Sequence, residues 1–404
     1  MNKVKTPKDV LLSIVSEKHE LVSAVMSELG IECWITFVRE TDANPDPVQN
    51  LVIGGEIVWE SAFIFFKKHE FKKIAIVGNF DADAEKNKSV WDEVIDYTEG
   101  ITAVLREKIT ELNPKNIALN YSDDDVMADG LSHGMFVKLS SILKDFADRF
   151  MSSRNLVQKV RSRKTATEIE LITSAAVLTE KINHTMTTKF TRDMTEKEIQ
   201  IMFHQIMDTE GVAESWQRNS CPAVDAGPDK QFGHVGPSQY KIKNGHSLHN
   251  DFGVKLHGYC SDIQRMWFFG KDEEIPLELL HAFKTVREAI FKASKYIKPG
   301  VTGNSVDKVA RNHVISQGYE PYQHALGHQI GTKAHDGGVL LGPLWEKYGE
   351  LPNGLVEAGN IFTLELYVAT KSYGMVSLEE MILVTDTGCE FIVPRQEKWI
   401  CVEL

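Results

Sequence analysis

The residues best suited to do chemistry in this sequence are four carboxylates and one imidazole in its last two-fifths: Asp251, Asp262, His328, Glu365 and Glu379. Carboxylate and imidazole groups are common ligands of divalent metal ions in proteins. If they gathered at one buried point, their charges would repel and their burial would be costly without a cation. The set therefore predicts a metal cofactor and the chemistry of a two-metal hydrolase.

The first two carboxylates lie in residues 246–270, which alternate like two strands around a tight reversal near Leu256–His257. Gly258 is available there for a positive φ. Residues whose numbers have a constant sum face each other in an antiparallel hairpin, so Asp251 is predicted to lie directly opposite Asp262. A solvent-exposed pair is the alternative, but both residues lie within largely apolar strands.

The second segment, residues 324–338, contains His324, His328 and His335 at intervals of four and seven. A single histidine is more often a surface or core residue than a ligand. Here glycines lie between the histidines, and glycine lets a backbone and a substrate approach closely. The segment matches neither a HExxH zinc helix nor a thiolate zinc site. Spacing predicts a functional site here without assigning each histidine its role.

The third segment pairs residues 360–370 with 374–388 as two strands around a polar turn. Alternation places Glu365 on the opposite face from its two leucine neighbours, where it needs compensation for its burial. Glu379 and Glu380 point to opposite faces, and the symmetry of the turn favours Glu379 as the partner of Glu365. Glu380 is predicted to be solvated or to form an ion pair.

This donor set suits two divalent ions, with manganese preferred and cobalt, zinc or iron as alternatives. Oxygen-rich ligation with one imidazole is too poor in nitrogen for a single tetrahedral zinc. Two ions roughly 3.5–4 Å apart can lower the pKa of a bridging water and clamp a tetrahedral intermediate.

Alternating strand and helix patterns predict a small α/β domain before these segments. The patterns indicate a helix over 7–29, strands over 33–38, 61–66, 73–78 and 116–122, and helices around 90–112 and 124–148. Capping-box spacings at Thr165/Glu168 and Thr195/Glu198 then open two helices of a second domain.

Further helices are predicted at about 276–298 and 304–317, with strand pairs between and after them. The fold class is therefore α+β, an antiparallel sheet with outer helices, preceded by the smaller α/β domain. The predicted domains are residues 1–157 and 158–404.

Composition excludes several function classes for this 404-residue chain, whose formal net charge is −12. Nucleic acid and anionic membranes need a basic surface, so neither is an expected partner. Charges interrupt every apolar stretch near the N-terminus, which fits neither a signal peptide nor a membrane span. The five separated cysteines favour reduced thiols, and we expect a cytoplasmic protein.

The motifs of this chain resemble those of the pita-bread metallopeptidases, which include methionine aminopeptidase, Xaa-Pro aminopeptidase, prolidase and the metal-free creatinase. The motifs are DFGVKLHGYCSDIQR, HALGHQIGTKAHDGG, FTLELYV and LEEMILVTDTG, together with FGHVGPSQYKIKNGH at 232–246. The first 150 residues are similar to the creatinase-type N-terminal domain. The resemblance implies a pita-bread catalytic domain, and a homodimer in which the N-terminal domain reaches the partner's cleft.

The resemblance also implies one role for each ligand. Asp251 would bind one metal, His328 and Glu365 would bind the other, and Asp262 and Glu379 would bridge both.

The catalytic and substrate-binding residues implied in the same way are Glu365, His234, His335 and His324. Glu365 would take the proton from a bridging water. His234 would contact the substrate and assist proton transfer to the leaving amine. His335 would donate to the scissile carbonyl or its oxyanion, and His324 would line the substrate pocket.

Two departures from the family pattern lie beside the ligands. Leu366 and Tyr367 follow Glu365 where the peptidases usually have Pro-Gly, and Ser377 stands where Xaa-Pro enzymes usually have arginine. Neither change removes a ligand.

The sequence thus favours a dinuclear aminopeptidase or dipeptidase that cleaves Xaa-Pro bonds by attack of a metal-bridging hydroxide. The alternative is a creatinase-like or lyase-like enzyme of the same fold, acting on a small non-peptide substrate. A non-catalytic binding module is disfavoured because such relatives typically lose ligands. Substrate, metal identity and oligomeric state do not follow from the residues.

Overall fold

A computed structural model describes residues 7–228 and 236–404, and within them the chain divides into two compact units between Arg161 and Ser162. The boundary drawn from the sequence, after residue 157, lies inside the helix Arg154–Ser162. The division therefore falls at the end of that helix, four residues later.

The first unit is a mixed sheet with helices, as its alternating pattern predicts. Its helices are α1 (Pro7–Leu29), α2 (Gln49–Val52), α3 (Asn79–Lys88), α4 (Thr102–Leu112), α5 (His133–Ile142) and α6 (Arg154–Ser162). Its strands are β1 (Cys33–Val38), β2 (Ser61–Lys67), β3 (Phe71–Gly78), β4 (Glu93–Tyr97), β5 (Ile117–Leu119) and β6 (Phe150–Ser152). The sheet order is β4-β3-β2-β1-β5-β6, and every residue of the inner strand β1 is buried.

Two helix predictions in this unit were too long. Residues 93–97 of the predicted helix 90–112 form β4, because they pair in parallel with β3, and tertiary pairing overrides local helix preference. Within 124–148 the α-helix covers only α5, where the Ser132 side chain accepts a hydrogen bond from Met135 N and caps the helix. Short 3₁₀ turns at Val126–Ala128 and Lys144–Arg149 flank it.

The second unit contains antiparallel strand pairs with helices packed outside them. Its helices are α7 (Ala166–Thr187), α8 (Glu196–Glu210), α9 (Leu277–Tyr296) and α10 (Gly303–Ser316). Its strands are β7 (Ala213–Glu214), β8 (Ala223–Ala226), β9 (Ser247–Phe252), β10 (Val254–Leu256), β11 (Tyr259–Cys260), β12 (Ile263–Phe269), β13 (Ile361–Ala369), β14 (Met375–Val384), β15 (Cys389–Phe391) and β16 (Ile400–Val402). The strand orders are β16-β12-β9-β8, β13-β14-β15 and β11-β10-β7, and 3₁₀ turns lie at Asp272–Glu274, Glu346–Tyr348 and Leu351–Asn353.

This architecture confirms the predicted α+β class. Both predicted capping boxes are formed, at the starts of α7 and α8. The apolar residues of α9 and α10 pack with those of β13 and β14 in one core, which includes Val286, Val306, Leu364 and Leu366. That core fixes one face of the β13–β14 hairpin and leaves the other face for the site.

Two further findings concern the cysteines and the apolarity of the helices. All its cysteines are free thiols in the structure. Among the helices within 7–228 and 236–404, none is long and apolar enough to span a bilayer.

Candidate metal centre

The hairpin β13–β14 brings two of the glutamates face to face. Glu365 pairs with Glu379 in the register that its sequence symmetry predicts. Leu364 and Leu366, on either side of Glu365, are fully buried in the core, so alternation turns Glu365 to the opposite face. The hairpin therefore presents both carboxylates at one point.

The hairpin that carries the aspartates has a different register from the predicted one. Asp251 faces Gln264 rather than Asp262. The prediction was wrong because the turn is centred one position later, at His257–Gly258, where both residues adopt positive φ (50° and 88°). Two positive φ values are the geometry of a tight type I′ turn. Moving the centre by one residue shifts the register by two, so Asp251 and Asp262 remain on the same face as diagonal neighbours.

The predicted histidine ligand is held beside Glu365 by backbone pairing with β13. The backbone N–H of Thr363 donates to His328 O at 2.9 Å, and the backbone N–H of His328 donates to Thr363 Oγ1 at 3.2 Å. Gly327 is required for this approach, since a Cβ there would lie 1.9 Å from Thr363 O. Gly327 thus lets the segment approach the strand closely.

The His328 imidazole lies among three of the carboxylates. Its Nε2 is 3.8 Å from Asp262 Oδ2, 3.5 Å from Glu365 Oε1 and 4.0 Å from Glu379 Oε1. One ligand atom each from Asp262, His328 and Glu379 lies within 4.8 Å of the others. These separations are too long for hydrogen bonds, but atoms that share an ion at about 2.1 Å lie roughly 3–4 Å from one another.

The electrostatics of the cluster call for a cation. Burial, reinforced by neighbouring carboxylates, raises the pKa of Asp262 and of Glu379 well above the usual range. Burial and the charge of Asp251 raise the pKa of Glu365 to about 8. Burial, with a smaller contribution from neighbouring histidines, lowers the pKa of His328 to about 3 and leaves a neutral ring able to bind a metal.

Hydrogen bonding does not compensate this cluster fully. Oδ1 of Asp262 and Oε2 of Glu379 are buried and accept no hydrogen bond within the described part of the chain. Buried carboxylate oxygens without donors are costly, and a divalent cation is the partner that such oxygens prefer. The donor set therefore fits divalent ions.

Glu380, the neighbour of Glu379, serves a different purpose on the opposite face. Its Oε2 accepts a hydrogen bond from Arg265 Nη2 at 3.0 Å, and its Oε1 accepts one from Gln396 N at 2.9 Å. Burial, opposed by Arg265, raises the pKa of Glu380 to about 7. Of the two predicted states of Glu380, solvated or in an ion pair, the structure shows the ion pair.

The other predicted histidines occupy different positions. The exposed His335 ring is edge-on to His328, with ring centroids 4.3 Å apart. The half-buried His324 ring lies 5.4 Å from the ring of Tyr367. His234 falls outside the described residues.

Two polar residues of the site, His249 and Gln264, were not predicted from the sequence, and Ser377 was placed beside the ligands without a role. His249 precedes Asp251 by two positions, Gln264 follows Asp262 by two, and Ser377 precedes Glu379 by two. Within a strand, residues two apart share a face. That alternation, applied to the neighbours of each predicted ligand, would have placed these side chains at the cluster.

The sequence places this site in a known family. Residues 170–386, more than half of the chain, match the sequence profile of metallopeptidase family M24. The chain belongs to this family. Its family is one of peptidases that use divalent metal ions, and the resemblance found in the motifs is confirmed.

Similar proteins occur in several bacteria. An uncharacterized peptidase of Staphylococcus aureus (strain bovine RF122 / ET3-1) is 25% identical over 336 residues, which cover 82% of this chain and 88% of the relative. A putative Xaa-Pro aminopeptidase of Mycoplasma genitalium is 29% identical over 229 residues, 56% of this chain and 61% of the relative.

Solved structures share the fold of nearly the whole chain. The X-Pro aminopeptidase from Thermotoga maritima MSB8 superimposes with a TM-score of 0.71 at 24% identity, covering 94% of this chain and 100% of that one. The Xaa-Pro dipeptidase from Bacillus anthracis gives a TM-score of 0.73 at 22% identity, covering 96% and 99%. At these identities the likeness establishes the pita-bread fold alone.

Proposed function

We propose that this M24 protein is a dinuclear metal-dependent aminopeptidase or dipeptidase that cleaves Xaa-Pro bonds. The observation that carries the proposal is the convergence of buried carboxylates from two hairpins around the neutral ring of His328, with buried oxygens of Asp262 and Glu379 lacking donors among the described residues. The names of the Mycoplasma genitalium relative and of the similar structures support the preference for proline.

The residues that would hold two ions lie on the two hairpins and the histidine segment, in the roles that the family resemblance implies. Asp251 would bind one ion, His328 and Glu365 the other, and Asp262 and Glu379 both. Manganese is the first candidate, with cobalt, zinc and iron as alternatives, because oxygen-rich sites accept each of them. When bound, such ions would supply Lewis acidity and a more acidic water.

The chain's own groups would orient the substrate and move protons. Glu365 Oε1, which faces His328, would accept the proton of the attacking water. His335 is exposed beside His328 and would donate to the scissile carbonyl oxygen. His324 would contact the substrate next to Tyr367, and His234 would protonate the leaving nitrogen.

A second function is favoured by a specific observation beside the site. Tyr367 and Ser377 face each other across the β13–β14 hairpin, and both depart from the residues that the family pattern implies. Tyr367 also packs against His324, so it reshapes the region where a substrate would lie. A small non-peptide substrate, turned over by the same centre, is the alternative.

Metal analysis and a peptide panel test the proposal. Protein purified without chelator is expected to carry close to two transition ions per chain and to hydrolyse Ala-Pro or Xaa-Pro-Xaa tripeptides faster than Met-Ala-Ser. If the metal-loaded protein cleaved none of these peptides, the proline-directed activity would be ruled out and the non-peptide alternative favoured. Absence of bound metal would overturn the dinuclear centre.

A further inference from the structure

A buried glutamine side chain donates a hydrogen bond to one carboxylate oxygen of Glu365, a proposed metal ligand. Gln264, on β12, faces Asp251 in the strand register and is only 5% exposed. Its Nε2 donates a hydrogen bond to Glu365 Oε2 at 3.2 Å. The other oxygen, Glu365 Oε1, lies 3.5 Å from His328 Nε2. One Glu365 oxygen therefore faces the glutamine, and the other faces the cluster.

The other end of the amide is also occupied. The Ser377 hydroxyl hydrogen-bonds to Gln264 Oε1, and His249 Nε2 lies 3.0 Å from the same oxygen. His249 Nδ1 is in turn 3.1 Å from Asp225 Oδ2. All these side chains are at most 8% exposed. The result is a continuous buried chain of polar groups that ends on Glu365.

The chemistry of these groups sets the direction of the amide. With a metal bound, Glu365 is ionised and can only accept hydrogen bonds, so the NH₂ group of Gln264 then faces it. The amide oxygen then faces Ser377, whose hydroxyl donates to it, and His249 Nε2. The Glu365 carboxylate cannot rotate Oε2 toward the cluster without losing its buried hydrogen bond to Gln264, which is costly.

We infer that Gln264 is a positioning residue for the metal centre, which holds Glu365 with Oε1 toward His328. The Ser377 hydroxyl fixes the orientation of the amide, and His249 and Asp225 continue the buried chain of polar groups beyond it. Ser377, where the family pattern implies arginine, thereby gains a specific role in this chain. The inference rests on the proposed metal centre, because it concerns how one of its ligands is oriented.

The expected effect is on metal affinity as well as on turnover. Partners that orient metal ligands typically change metal affinity or activity by about 10- to 100-fold when they are removed. Gln264→Met keeps the volume but removes the hydrogen bonds of the amide to Glu365, Ser377 and His249, so we expect a loss of affinity in that range. Gln264→Glu places a second carboxylate against Glu365 and should weaken binding at least as much. Ser377→Ala removes one contact and should cost about fivefold.

The matched control is another buried glutamine of the same unit. Gln396 is 7% exposed, and its Nε2 donates to Met266 O at 2.6 Å and Lys398 O at 3.0 Å. It lies against Glu380 rather than against a proposed ligand. Gln396→Met therefore disturbs a comparable set of hydrogen bonds while leaving Glu365 held by Gln264.

The experiment measures Mn²⁺ binding by calorimetry on the chelator-treated, full-length protein. The visible spectrum of the Co²⁺ form and the separate kcat and KM values accompany it. Gln264→Met should weaken Mn²⁺ binding, change the Co²⁺ spectrum and lower kcat more than it raises KM. Gln396→Met should leave the affinity and the spectrum unchanged.

The outcomes separate the inference from the proposed function. If the wild-type protein binds no Mn²⁺, the proposed metal centre fails. If the wild type binds but Gln264→Met binds equally well with the same Co²⁺ spectrum, the positioning role is overturned. Should Gln264→Met not fold, Ser377→Ala decides, because wild-type affinity in that variant contradicts the role and a severalfold loss supports it.

Discussion

Glu379 and Glu380 are chain neighbours with nearly equal burial, at 1% and 2% exposure, and replacing each by glutamine should have opposite consequences. Glu379 points toward the acidic cluster, whereas Glu380 points toward Arg265. Glutamine preserves the volume of each side chain and removes its charge. The pair of variants therefore tests directly which face of β14 carries the metal centre.

For Glu379→Gln, the structure predicts a protein that folds but no longer responds to metal. Without metal, the substitution removes a carboxyl group that burial and Asp262 already push toward its neutral form, so stability should stay equal or rise. At a metal concentration 100 times Kd, the wild type should gain about 2.7 kcal/mol from binding. The variant should lose most of that gain, together with its metal content and its activity.

For Glu380→Gln, the expected result is a loss of stability that is the same with and without metal. Arg265 would stay buried with its charge only partly compensated by Glu180. Removing one partner of a buried ion pair typically costs about 3–5 kcal/mol, and the remaining contact with Glu180 favours the lower end. Metal should still add its full stabilisation to this variant.

Urea unfolding, followed by far-UV circular dichroism with and without Mn²⁺, measures both effects, and elemental analysis measures the metal content. The reasoning is refuted if Glu380→Gln abolishes the metal response while Glu379→Gln retains it. A metal-replete, fully active Glu379→Gln protein would also contradict the bridging role of that residue.

Three further predictions concern other parts of the chain. Burial lowers the pKa of His19 from 6.5 to about 4, so the unfolded chain binds the proton first as the pH falls. The free energy of unfolding should therefore fall by about 3 kcal/mol as the pH drops from 6.5 to 4, at about 1.4 kcal/mol per pKa unit. Calorimetry should show a smaller pH dependence of stability in His19→Gln. Gly327→Ala should lower metal affinity and activity, because its Cβ would collide with Thr363 O, whereas Gly388→Ala, with no atom within 4 Å of its Cβ, should bind metal normally. Tyr367→Gly, which restores the residue that the family pattern implies, should raise kcat/KM for Ala-Pro relative to wild type; an unchanged value would remove Tyr367 from substrate selection.

The sequence predicted the β13–β14 hairpin better than the β9–β12 hairpin for a physical reason. The turn between Glu365 and Glu379 is symmetric about one polar residue, so the register follows from alternation alone. The turn at His257–Gly258 needs a positive φ at a histidine, which residue type does not reveal. In the structure Asp251 pairs with Gln264 instead of Asp262, but both aspartates stay on one face, as a shared metal site requires.

Contacts between segments that are distant in the chain determine the features of the site that the sequence did not predict. The distance of His324 from Tyr367, or of Gln264 from Glu365, depends on how strands and loops pack, and spacing along the chain does not give it. The carboxylates could be proposed as ligands from the sequence because a carboxylate in an apolar strand is costly by itself. Substrate preference could not be predicted, because it depends on packing across the site.

Packing also explains how mutually repelling carboxylates are held together. Leu364 and Leu366 are fully buried against the outer helices, and each methylene so buried contributes about 0.8 kcal/mol. This apolar face fixes the hairpin, so Glu365 and Glu379 remain at the cluster although their charges oppose it. Raised carboxyl pKa values follow directly, because protons take the place of cations at ordinary pH. Metal binding should therefore release protons, and a calorimetric titration of the chelator-treated protein in buffers of different ionisation enthalpy would measure how many.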